Sequence, residues 1–119
     1  KGVFMVYIDK IQHSQVLDLK TEVPIEEEQM LSKTLVQRKD LGMTIFSLDK
    51  DQEIGRHSSP GDAMVNILSG LAEITIDEEV FEVAAGQTIV MPANIPHSLY
   101  AKEAFQMLLV VVKPEVDHD

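Results

Sequence analysis

The chain has 119 residues, enough for one domain with a single core, and 45% of them are hydrophobic. Its 20 acidic side chains outnumber the 10 basic ones and give a net charge of −10, which repels a phosphate backbone and argues against nucleic acid as a partner. With no cysteine it has neither a disulfide framework nor a thiolate metal site nor a cysteine nucleophile, in keeping with a cytoplasmic protein.

Residues 1–8 hold a few apolar side chains but no long hydrophobic segment before a small-residue cleavage site, so no secretion signal is read there. Met5 is read as the initiator, which leaves residues 1–4 without a role. The acidic stretch 22–28 is the best candidate for a helix start, with Thr21 as its cap. It is short and broken by Pro24, and a solvated arm is the equal alternative. His13 is expected at the surface.

From Met30 onward the signals change to short β segments separated by turn residues. Segments 31–36 and 41–48, divided by Arg38, Lys39 and Asp40, suit a hairpin. Segment 64–68 ends at Ser69-Gly70 and leads into 71–76, where Ala72, Ile74 and Ile76 alternate with Glu73 and Thr75 as in a half-buried strand. Strands are expected next at 80–83, 88–91, 97–101 and 105–112, closed by Pro114. Residues 115–119 read as a polar tail carrying His118 at the surface. The longest apolar run, 107–112, is far short of the ~20 residues that span a bilayer, so no membrane partner is expected. The division is thus an N-terminal arm at 1–29, a β-barrel at 30–114 and the tail. Many short strands without a long amphipathic helix indicate a sandwich, jelly roll or barrel, and pattern alone does not choose among them.

Two motifs make the choice. The stretch DQEIGRHSSPGDAMVNILSG, residues 51–70, resembles the first motif of the cupin superfamily, G-x5-H-x-H-x3-E-x6-G. Gly70 sets the register: His57 matches the first histidine, while Asp51, Ser59 and Ala63 replace the first glycine, the second histidine and the glutamate. The stretch GQTIVMPANIPHSLYA, residues 86–101, resembles the second motif, G-x5-P-x-G-x2-H-x3-N. Gly86, Pro92 and His97 match, while Asn94 replaces a glycine and Ala101 the asparagine. Asparagine tolerates the left-handed backbone that a glycine position demands. The resemblance implies an all-β double-stranded β-helix, the cupin jelly roll, in a small single-domain form.

Residues two apart on a strand share a face, so His57, Ser59 and, without a bulge, Ala63 are expected to look into the barrel, where the resemblance also places His97. Metal-bearing cupins converge three histidines and a glutamate there on zinc, iron, manganese or nickel. A catalytic zinc usually takes three protein ligands. Here His57 and His97 are the metal candidates, and a third ligand would have to come from Asp62, Glu53 or Gln106. Asp62 is one step from the glutamate position, which reverses its face unless a bulge intervenes. Arg56 is expected to point away from His57, at the surface. Ser58 and Ser59 lack a third group to orient a histidine, which argues against a serine hydrolase. Phe46, Phe81, Tyr100, Phe105 and the six methionines are candidates to line a cavity.

The function expected is therefore binding of a small organic ligand in the barrel interior, with polar contacts from His57, Ser59 and His97. The alternative is a metal-dependent enzyme of the isomerase or dioxygenase type, using a divalent transition metal on His57 and His97. A purely structural or interaction protein is a third class. A homodimer is expected, because an isolated barrel leaves edges to cover, with the residues before Met30 and the strand 105–112 at the contact.

Overall fold

The computed structural model describes residues 5–114. The readings for residues 1–4, the polar tail at 115–119 and His118 lie outside the described residues.

Nine strands carry the described chain: β1 Met30–Gln37, β2 Leu41–Leu48, β3 Glu53–His57, β4 Asp62–Ser69, β5 Leu71–Ile76, β6 Glu79–Ala84, β7 Thr88–Met91, β8 His97–Ala101 and β9 Phe105–Val112. They form a five-stranded sheet in the order β1-β2-β9-β4-β7 and a four-stranded sheet in the order β3-β8-β5-β6, with every pairing antiparallel. The fold is the all-β jelly roll that the motifs imply. β1 and β2 are the expected hairpin, and the predicted bounds of β2, β5, β7, β8 and β9 are those observed. No helix among the described residues is long and apolar enough to cross a membrane.

Alternation supplies two apolar layers rather than one. Inward residues of both sheets, among them Leu48, Val65, Ile74, Leu99, Phe105 and Met107, make the barrel core. The outer face of the five-stranded sheet carries a second cluster in which Val23, Ile11 and Leu19 of the arm pack over Ile45, Leu35 and Val36. Gln106, outward on β9, fastens the arm by donating from its amide to the carbonyls of Lys20 and Val23 at 2.6 and 2.9 Å. Ser47 adds a bond to the Pro24 carbonyl at 3.0 Å.

Of the two expectations for the acidic stretch, the exposed arm is observed at residues 24–28, and the helix lies before it. A single turn, α1 Leu19–Glu22, is capped by Asp18, whose carboxylate accepts from the Lys20 amide at 3.1 Å, and Thr21 lies inside it. The acidic stretch beyond is not helical. Pro24 can neither donate to a preceding carbonyl nor allow the residue before it to stay helical, so the helix stops at the Val23 cap.

Backbone conformation accounts for the motif positions. Asp51, Gly70, Gly86 and Asn94 all have positive φ, at 73, 82, 85 and 65°. These are turn positions at which glycine is easiest and Asp or Asn acceptable. Gly70 is further constrained, since a Cβ there would sit 1.8 Å from the Ala104 carbonyl oxygen.

Candidate functional site

His57 reaches the interior through a defect in its strand. Ile54 pairs with Leu99, and three residues later His57 pairs with His97, only two positions from Leu99, so one extra residue is accommodated on β3. Without that bulge Ile54 and His57 would face opposite ways; with it both line the barrel. Arg56 is left on the outside, donating to the Asp77 carbonyl at 2.8 Å, as expected. Beyond His57 the chain turns through Ser59, whose oxygen accepts from the Gly61 amide at 3.1 Å and whose carbonyl accepts from Asn94 at 2.7 Å. The chain then crosses to the other sheet. Ala63 therefore faces the same interior from β4, not from a continuation of the strand bearing His57.

His57, Ser59, Ala63 and His97 all line one cavity of about 160 Å³ between the sheets. Its remaining wall is apolar: Phe46, Ile54, Leu99, Met107 and Leu109 are among its residues. Of the aromatic and methionine candidates, Phe46, Met30, Met91 and Met107 line it. Tyr100 does not: it points outward from β8 and donates its hydroxyl to Asp51. Phe81 and Phe105 belong to the barrel core without lining the cavity. The aliphatic wall residues Ile54, Leu99 and Leu109 are not singled out by sequence; position within a strand is the signal that finds Leu99 and Leu109, whereas Ile54 is the single aliphatic residue of its strand and carries no such pattern.

The two imidazoles are held in one tautomeric arrangement. Nδ1 of His57 lies 2.8 Å from the Gly55 carbonyl oxygen, and Nδ1 of His97 lies 3.2 Å from that of Ile95. A carbonyl only accepts, so each Nδ1 carries the proton. In the neutral rings both Nε2 atoms are then bare acceptors, and they converge to 3.3 Å with the ring centroids 4.5 Å apart. His97 is buried at 2% exposure, whereas His57 stands at the exposed mouth. Burial first, and the neighbouring His57 second, hold His97 below its ordinary value near 6.5, against the opposing bond to Ile95. The neutral form of His97 is thus favoured.

Two converging Nε2 atoms are half of a metal site, and the other half is missing. Asp62, the expected third ligand, turns outward and accepts from the Ala93 amide at 2.8 Å, as strand parity requires. Glu53 is exposed, opposite Tyr100 on the outer face. Gln106 is committed to the arm on the far side of its sheet. Among the described residues no group of three or more His, Cys, Asp or Glu could hold a metal ion. Two histidines with a serine and an alanine do not fit the three or four ligands of a zinc, iron, manganese or nickel centre.

The fold and this interior define the class: a small double-stranded β-helix with an apolar cavity opening on a histidine pair. A cupin domain model matches residues 44–113. The chain belongs to the cupin family. It is similar at 77% identity to a conserved protein of unknown function from Streptococcus pyogenes, with a TM-score of 0.93 over 94% of this chain and 98% of that one. A Cupin 2 conserved barrel domain protein from Leptotrichia buccalis is 41% identical, with a TM-score of 0.80 over 82% of this chain and 47% of that one. A cupin superfamily protein from Desulfitobacterium hafniense shares the fold at 24% identity, with a TM-score of 0.87 over 92% of this chain and all of that one. No curated protein matches the chain.

Proposed function

We propose that this cupin is a binding protein whose small organic ligand occupies the barrel interior and is held by His57, Ser59 and His97. The observation that carries the proposal is the pairing of an apolar cavity of about 160 Å³ with two histidine acceptors aimed at one point. Ligand sites are commonly apolar concavities with a few convergent polar groups, often in the mouths of β-barrels. A metal-dependent isomerase or dioxygenase needs a third and fourth ligand, and Asp62 and Gln106 are turned to other partners while Glu53 lies exposed on the outer face.

The test is a nuclear magnetic resonance fragment screen on the natural chain and on Ala63→Leu, which fills the cavity from the five-stranded sheet. Fragments should perturb residues of the cavity in the natural chain and lose that effect in the filled variant. Undiminished perturbation in a folded Ala63→Leu protein would remove the ligand from the interior. The metal alternative has its own test in Ser59→His with Ala63→Glu, which should gain affinity for zinc, iron or nickel over the parent. A parent that binds metal as tightly as the double variant would favour the enzyme.

The homodimer and the cytoplasmic location belong to the same proposal. Support for the dimer comes from apolar groups left in water: Met5, Val6 and Tyr7 on the arm, and Met64, Val90 and Val112 on the five-stranded sheet.

A further inference from the structure

The cavity's polar groups select among ligand chemistries. Both Nδ1 protons are bound to carbonyls of the histidines' own segments, so the neutral pair offers the interior two lone pairs and no N–H. At 3.3 Å two such lone pairs repel each other unless a hydrogen-bond donor or a proton lies between them. Ser59 has one hydroxyl proton to offer, and the rest of the wall is apolar.

A carboxylate or phosphate would enter a site with no fixed cation and be desolvated without compensation. An ammonium group would meet no carboxylate there, because Asp62 and Glu53 face outward. A neutral O–H suits the arrangement: it donates toward the two Nε2 atoms, while its oxygen can accept from Ser59. Size narrows the choice again. A cavity of roughly 150 Å³ holds a single benzene ring, and this one is about 160 Å³. Phe46, Met91 and Met107 provide the aromatic and thioether surfaces that favour a ring over an alkyl chain.

We propose that the cavity takes a small phenol, a single aromatic ring seated against the apolar wall with its hydroxyl donating between His57 Nε2 and His97 Nε2. This inference rests on the cavity being a ligand site and adds the chemical class of the ligand. Phenols are favoured over alcohols because their more acidic hydroxyl is the stronger donor to an imidazole nitrogen.

The test titrates phenol, toluene and benzoate into the natural chain and into His57→Leu, followed by calorimetry and by the ring nitrogen resonances of the histidines. Toluene has the shape of phenol without the donor, and benzoate carries the charge instead. His57 stands at the exposed mouth, and a His57→Leu melting temperature near that of the natural chain confirms that it is folded. Phenol should bind about tenfold or more tightly than toluene, with benzoate weakest. The advantage over toluene should fall below about threefold in His57→Leu. Equal affinities for phenol and toluene in the natural chain would overturn the donor assignment while leaving the cavity a ligand site. Tighter binding of benzoate would overturn it too, by showing a charged histidine pair. If neither phenol nor toluene binds although other fragments occupy the interior, the phenol class falls alone; if nothing occupies it, both proposals fall.

Discussion

The outer faces of the two sheets obey the same alternation and meet opposite fates. On the four-stranded sheet Glu53, Tyr100, Glu73 and Glu82 lie in a row, each paired with the next, from β3 through β8 and β5 to β6. That face stays in water. Lys102 pairs with Glu82, and Tyr100 donates to Asp51. On the five-stranded sheet the outward positions include Met43, Ile45, Leu68 and Leu108, and the arm covers them with Ile11, Leu19 and Val23. The cover stops short of Met64 and Val90, cross-strand partners that are 41% and 47% exposed. A period of two tells which residues share a face, but the composition of the face decides whether it needs a cover.

The largest break in the contrast is a charge beneath the arm. Ile45 is fully buried, and Ile45→Asp should cost about 4 kcal/mol, from the lost apolar burial and an unpaired carboxylate. Glu73→Gln on the opposite face should stay within about 0.5 kcal/mol. Chemical denaturation of the two variants measures the gap, and equal losses would mean the arm does not shield the sheet.

Unfastening the arm comes next. Gln106→Leu removes the donor to the Lys20 and Val23 carbonyls and the acceptor for the Ser69 hydroxyl at 2.8 Å. About 2 kcal/mol should be lost. Hydrogen exchange should locate the damage in the arm, quickening the Asp9 amide that bonds to the Leu35 carbonyl, before the barrel strands respond.

The uncovered strip tests the proposed dimer. Met64→Lys should weaken self-association by about tenfold or more with little effect on the fold, because the residue is exposed in the single chain. Sedimentation equilibrium reads this directly, and an unchanged association would place the contact elsewhere.

The smallest effect lies on the acidic face. The bond to Asp51 is the main reason the Tyr100 hydroxyl is held above its ordinary value of 10.0, with burial and the charges of Asp51, Glu73 and Glu53 adding to it. A raised pKa means that the folded chain keeps this proton better than the unfolded one. The stabilisation is therefore complete below pH 10.0 and disappears as pH rises through the folded value. Asp51→Asn keeps a side chain that tolerates the φ of 73° and should move the tyrosinate absorbance midpoint of Tyr100 down towards 10.0. No movement would mean that the bond is absent in solution.

Most strands were legible in the sequence because alternation and turn residues mark them. β3 was not among the predicted segments. Its sequence, EIGRH, has a glycine and a single aliphatic residue, and four of its five side chains are exposed. Its place in the sheet comes from pairing with β8, a contact far away in sequence. Of the two readings of the acidic run, the exposed arm holds at residues 24–28 and the helix start does not, because Asp18 has the better capping position one turn earlier.

For the site, motif spacing named His57, Ser59, Ala63 and His97, which depend on local register and turn chemistry. The sequence by itself determined the β class, the turn positions where Asp51 and Asn94 stand for glycine, and the loss of two motif ligand positions at Ser59 and Ala63. Only the tertiary structure decided that Ala63 approaches from the opposite sheet, that a bulge returns His57 to the interior, and that Asp62, Glu53 and Gln106 face away from the cavity. The physical reason is that side-chain direction follows strand parity, and parity is reset wherever a bulge adds a residue or a turn carries the chain between sheets.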